Sequence, residues 1–176
     1  MSVWSWRFDA AGACRLSADK HTELGGYAVA LDGVDDQVTL GLADYAGDWT
    51  VNARVKRTGD RASSVLLASQ SAAVKLEQWN NTHNIGVTKY GISDTSSAYS
   101  PPLNTWIRLT LVSTGGQILV YSNGTQVGTV ATTASLPLSW LGRRGTSSPS
   151  DAAAMVVDDI TVYGSALTAA QVQTLP

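Results

Sequence analysis

Between Ala73 and Gly91 the chain places a cation, a carboxylate and two large aromatic rings at alternate positions. Lys75, Glu77 and Trp79 are two residues apart, and Thr88 and Tyr90 repeat the spacing after a polar interruption. Side chains alternate across a strand, so each set falls on one face. Asn80, Asn81 and His83 lie in the interruption and Asp94 just beyond the second set. Such a set suits a sugar, which offers an apolar C–H face and a ring of hydroxyls. Aromatic rings stack on the first, while carboxylates, amides and cations hydrogen-bond the second. A plainer reading also stands: Lys75 and Glu77 form an ion pair, the rings cover a sheet beneath a loop, and His83 is simply solvated.

The elements that position these groups are the two arms of a β-hairpin. Val74 and Leu76 form the apolar face of the first arm, Ile85 and Val87 that of the second. Matching the apolar faces puts Lys75 near Thr88 and Glu77 near Gly86, with about four residues in the loop. The opposite, polar face is the expected working surface.

Catalysis on glycosides usually needs two carboxylic acids across a cleft, one of them protonated. Glu77 is alone on its strand, Glu23 is in a loop, and Asp158 and Asp159 are adjacent and so point to opposite faces. No nucleophile elbow appears. A non-enzyme is expected.

The rest of the 176-residue chain reads as strands. Trp49 to Arg57 alternates Trp49, Val51, Ala53 and Val55 with polar residues, predicting a strand with core on one side and water on the other. Thr105 to Ser113, Gln117 to Ser122, Thr125 to Ala131 and Met155 to Tyr163 follow suit. Asn123-Gly124 predicts a two-residue hairpin turn with positive φ at both positions. Ser2 to Asp9 predicts a strand with Trp4, Trp6 and Phe8 on one face. Ala10 to Gly26 reads as a loop containing Cys14, Ser93 to Pro102 as a Ser-rich loop, and Gly145 to Asp151 as a flexible one. Thr168 is placed to cap a short closing helix, with Leu167 as staple and Val172 packing inward. About a dozen short strands, no repeat and no linker predict an all-β fold: a two-sheet antiparallel jelly-roll sandwich, one domain over 1–176, with one short C-terminal helix.

Bulk composition excludes several partners. The charged fraction is 15% and the net charge −2, without the basic stripe of a nucleic-acid binder. Arg143-Arg144 could reach an acidic sugar, but a pair is too little for nucleic acid. One cysteine makes no internal disulfide, and no Cys/His spacing suits zinc. No apolar run approaches the ~20 residues of a membrane span, and Met1 to Trp6 lacks the pattern of a signal peptide, which leaves any longer parent protein open.

Four stretches carry a family resemblance: Val29-Ala-Leu-Asp-Gly-Val-Asp-Asp-Gln-Val-Thr-Leu40, Trp49-Thr-Val-Asn-Ala-Arg-Val55, Tyr121-Ser-Asn-Gly124, and Val157-Asp-Asp-Ile-Thr-Val-Tyr163 with Ala166-Leu-Thr-Ala-Ala-Gln-Val172. In this order they resemble a LamG-like domain of the concanavalin A-like lectin/glucanase superfamily. Lys75-Leu-Glu-Gln-Trp79 with Gly86-Val-Thr-Lys-Tyr-Gly91 and Asp94 is similar to modules appended to secreted bacterial glycoside hydrolases, especially N-acetylhexosaminidases. The resemblance implies an extracellular, non-catalytic carbohydrate-binding module, with a glycan and a neighbouring catalytic domain as partners. Its alternatives are a structural spacer or a protein-adhesion domain with no sugar ligand. It also implies a possible structural calcium ion, for which Asp9, Asp32 and Asp159 match the general places; hard oxygen ligands suit that ion. The other reading of these residues is as turn-formers and backbone caps.

Overall fold

The computed structural model describes residues 3–6, 16–17, 28–79, 82–145 and 149–176. Its strands are β1 (Val3–Trp6), β2 (Leu16–Ser17), β3 (Ala28–Asp32), β4 (Val38–Thr39), β5 (Trp49–Arg57), β6 (Ser64–Ala68) and β7 (Ala72–Glu77). They continue as β8 (Gly86–Lys89), β9 (Ser93–Ser96), β10 (Trp106–Thr114), β11 (Gln117–Ser122), β12 (Thr125–Val130), β13 (Trp140–Leu141) and β14 (Ala154–Tyr163). Among the described residues there is one α-helix, α1 (Ala169–Gln173), after β14.

Two sheets form the sandwich. The larger runs β12-β11-β10-β5-β14-β3-β2, with β1 also paired to β14; the smaller runs β4-β13-β6-β7-β8-β9. Every strand pair in both sheets is antiparallel. The core lies between them because each inner face is apolar: Val51, Val55, Leu109, Leu111 and Val157 meet Leu66, Leu67, Val74, Leu76 and Val87 in one buried cluster. Burying such side chains stabilises by about 1.5–3 kcal/mol each. The Asn123-Gly124 turn has the expected backbone, with φ of 50° and 82°.

The long alternating strands appear where the sequence places them, but the far side of β5 is drier than its pattern implies. Thr50 and Asn52 are buried: the C-terminal segment lies across Thr50, and Asn52 Oδ1 accepts from Thr110 Oγ1 at 2.8 Å. Thr50 Oγ1 donates to Ser165 O at 2.9 Å and accepts from Leu167 N at 3.0 Å. Thr168 caps α1 in a reciprocal capping box with Gln171. Leu167 and Val172, either side of that cap, pack together against Val112 and Tyr121. Arg108 donates to the carbonyls of Leu175 and Val172, fixing the helix end.

Two segments expected as loops contain strands. Ser93–Ser96 is β9, the edge of the smaller sheet, and Leu16–Ser17 pairs with β3. Both lack the apolar alternation that marks a half-buried strand. Asp9 and Cys14 lie outside the described residues, as do the side chains of Trp4, Trp6 and Phe8.

Candidate functional site

The β7–β8 hairpin keeps the predicted face but not the predicted register. Lys75 stands opposite Gly86 and Ala73 opposite Thr88, a slip of two residues from the expected pairing of Lys75 with Thr88. Two residues is one period of the strand, so no side chain changes face. The loop is longer than expected: the strands end at Glu77 and restart at Gly86, and Gln78 N donates to Asn84 O at 2.8 Å. Gln78 accounts for the slip. It is 3% exposed and packs over Gly86, where an added Cβ would lie 2.8 Å from Gln78 Nε2 and 2.7 Å from Thr95 O. Only glycine leaves that space.

The same glutamine positions the aromatic residue beside it. Gln78 Nε2 donates to Thr95 O at 3.2 Å, and Gln78 Oε1 accepts Trp79 N at 2.8 Å. Thr88 Oγ1 lies 3.1 Å from Gln78 Oε1 and 2.6 Å from Asp94 Oδ1, and donates to one or the other. Trp79 therefore leaves the sheet on a braced backbone, with its side chain 49% exposed.

The expectation that Lys75 and Glu77 face water is wrong. They are 3% and 0% exposed. Lys75 Nζ reaches Asp151 Oδ1 at 2.8 Å and Ser63 Oγ at 2.5 Å. Asp151 lies on a short 3₁₀ turn, Pro149–Asp151, that folds over the sheet. Glu77 Oε1 meets Arg57 Nη1 at 2.5 Å, accepts Arg61 N at 3.1 Å and lies 2.9 Å from His83 Nδ1. Each charge is paired, but to a distant part of the chain, not to the other. A buried charge demands such a partner.

Burial pushes the Asp151 carboxyl up, the largest single effect. The hydrogen bond and charge of Lys75, with the Ser63 and Tyr90 hydroxyls, outweigh it and hold the group below its ordinary value. Burial beside that carboxylate raises the Tyr90 phenol well above its usual range.

Above this floor lies an open cleft of ≈ 620 Å³. Lys75, Trp79, Thr88, Tyr90 and Asp94 line it, as do Lys89, Gly91, Ile92, Ser93, Arg144, Ser150 and Asp151. The structure thus brings together five of the residues picked from sequence. Glu77 and His83 are not among the lining residues, and Asn81 lies outside the described ones. The two rings play different parts. Trp79 is open. Tyr90 carries the Arg144 guanidinium 3.8 Å from its ring centroid, and its hydroxyl donates to Asp151 Oδ2 at 3.3 Å. It is a buttress, not a second free stacking surface. Sequence reasoning missed Asp151, Ser150 and Ile92. Nothing local marks a turn some seventy residues away as the lid of this hairpin.

Of the three residues matched to calcium, Asp32 and Asp159 stand apart on the larger sheet. Asp32 pairs with Ala154, and Asp159 is five residues further along β14, roughly 16 Å at the strand rise. Asp9 lies outside the described residues. Asp32 instead shapes its turn: its Oδ1 accepts Val34 N at 2.7 Å, and its own N–H donates to Asp36 Oδ2 at 3.1 Å. Asp32, Asp35 and Asp36 bring carboxylate oxygens within 4.8 Å of one another. Two of these carboxylates already serve the turn, as backbone caps do.

Comparison with known proteins places the fold. Residues 32–173 match a laminin G-type family described as the concanavalin A-like lectin/glucanases superfamily. A search of the curated proteins found no match. Among solved structures, domain 4 of a GH43 extracellular arabinanase from Geobacillus stearothermophilus, in complex with arabinotriose, is similar at TM-score 0.68 and 16% identity, over 98% of this chain and 85% of that one. A native heptameric SAP-like pentraxin from Limulus polyphemus is similar at TM-score 0.62 and 18% identity, over 82% and 79%. A Trypanosoma rangeli sialidase mutant displaying trans-sialidase activity matches at TM-score 0.65 and 14% identity, over 97% of this chain but only 32% of the sialidase. At these identities the likeness concerns the fold alone. The family match spans most of the chain, and the two-sheet sandwich agrees with it: the chain belongs to the concanavalin A-like lectin/glucanases superfamily.

Proposed function

We propose that this chain is a non-catalytic carbohydrate-binding module that holds a glycan in the Trp79 cleft. One observation carries the reading. An indole that is 49% exposed stands on a braced backbone at the edge of a cleft where hydroxyls, carboxylates and cations converge beside the Tyr90 ring and Ile92. A large exposed aromatic beside convergent polar groups is what a pyranose or furanose ring needs: a stacking surface for its C–H face and donors and acceptors for its hydroxyls. The arabinotriose held by the arabinanase domain supports a glycan as the ligand class for this architecture.

Hydrolysis is disfavoured by the same geometry. Glu77 is sealed and occupied by Arg57, Arg61 and His83. Asp151 is held ionised by Lys75, the opposite of what a general acid requires. In the proposed setting the module is part of a longer extracellular protein and keeps a neighbouring glycoside-hydrolase domain near its substrate. A protein-adhesion role is the second reading, favoured by Ile92, 81% exposed on the cleft rim. A glycan array separates the two. Saturable binding to a sugar, lost in Trp79→Ala, supports the first. Binding only to proteins, sensitive to Ile92→Ser, supports the second.

A further inference from the structure

Lys89 lines the Trp79 cleft and also a second cleft of ≈ 450 Å³. The second cleft lies where both sheets end. Asp48, from the turn before β5, forms one wall; Ser113, near the end of β10, and Thr133 and Ser135, between β12 and β13, form the others. Lys89 is half-buried at the junction, and among the described residues no carboxylate lies within ion-pair distance of it. Asp48 is engaged elsewhere, accepting from Thr114 Oγ1 at 3.2 Å. An ammonium with no anion beside it retains donors for other oxygens, and it has three. Strand alternation turns its side chain away from Thr88 and Tyr90 and toward the second hollow, while the same residue also lines the first.

We propose that the two clefts are one groove, and that its ligand is a linear oligosaccharide chain that runs from Trp79 past Lys89 into the second cleft. This rests on the reading of the Trp79 cleft as a glycan site and adds the ligand's shape: an extended chain, not a terminal monosaccharide. Affinity then grows with chain length until the second cleft is filled.

The test is calorimetric titration of the intact chain with linear arabino-, xylo-, cello- and chito-oligosaccharides, from disaccharide to hexasaccharide. The expected result is a gain of about tenfold between the shortest and longest members of the series that binds. Ser135→Trp, at an exposed position, fills the second cleft. It should cancel that gain while leaving the shortest ligand unaffected, and Lys89→Gln should weaken the longest ligands most. Affinity independent of length, or unchanged length dependence in Ser135→Trp, overturns the proposal. Binding that keeps its dependence on Trp79 but not on length overturns this proposal alone. Loss of Trp79 dependence overturns the reading beneath it, and no binding across the set overturns both.

Discussion

Lys75 Nζ and Asp151 Oδ1 lie 2.8 Å apart, although 76 residues separate them in the chain. Through this contact the sheet that forms the cleft floor holds the turn that forms its wall. Both partners are nearly sealed from water, so removing one strands the other. We expect Lys75→Met to cost about 3–5 kcal/mol of unfolding free energy. The double variant Lys75→Met with Asp151→Leu should cost clearly less than the sum of the singles. Urea denaturation of the four proteins of this cycle measures it, and simple additivity would speak against a coupled buried pair.

The pH dependence follows from the same pair. The folded Asp151 carboxyl sits below its ordinary value, so the folded state binds its proton less readily than the unfolded one. Its contribution to stability is fully present above about pH 3.9, the ordinary carboxylate value. It is lost as pH falls from there through the lowered folded value. Unfolding free energies measured across acidic pH should fall less steeply in Asp151→Asn than in the parent chain within that window.

The second buried charge offers an internal contrast. Arg57 Nη1 lies 2.5 Å from Glu77 Oε1 and 3.1 Å from Asp60 Oδ1. Glu77 is fully buried, while Asp60 is 60% exposed. Glu77→Gln should therefore destabilise by about 3–5 kcal/mol, and Asp60→Asn by at most about 1 kcal/mol. Thermal and chemical denaturation of the two variants should rank them in that order at any salt concentration, with only the Asp60 effect shrinking as salt rises.

Gly86 sets the hairpin's offset. A Cβ there would meet Thr95 O at 2.7 Å and Gln78 Nε2 at 2.8 Å. We expect Gly86→Ala to destabilise by about 1–3 kcal/mol through overpacking. By displacing Gln78, it should also loosen the brace on Trp79 and reduce glycan affinity. Indole fluorescence offers little resolution with six tryptophans in the chain, so amide exchange at Trp79 is the readout. Its N–H should lose protection in the variant.

How much of this was legible in the sequence depends on how local each signal is. The strand Trp49–Arg57 and the cap at Thr168 were read directly, because alternation and capping act within a few residues. Which face Lys75 occupies was also legible, since parity survives a slip of two. The offset of the hairpin was not: parity repeats every two residues, and the choice among repeats was made by Gln78 packing on Gly86. That Lys75 and Glu77 are buried was not legible either. Their partners, Asp151 and Arg57, come from elements that only the folded sandwich brings near. Ser93–Ser96 pairs as an edge strand without an apolar face to announce it.

The most direct measurement is calorimetric titration of the parent chain and of Trp79→Ala with arabinotriose and a panel of neutral and acidic oligosaccharides, alongside their melting curves. Truncating an indole that is half buried should cost about 1–3 kcal/mol of stability, short of unfolding the sandwich. Losing the stacking surface should weaken binding by about tenfold or more, roughly 1.4 kcal/mol. Saturable binding that collapses in a variant that still melts in one cooperative transition is the predicted result. Equal affinity in both proteins, or no saturable binding of any sugar by the parent chain, would contradict a glycan site at this cleft.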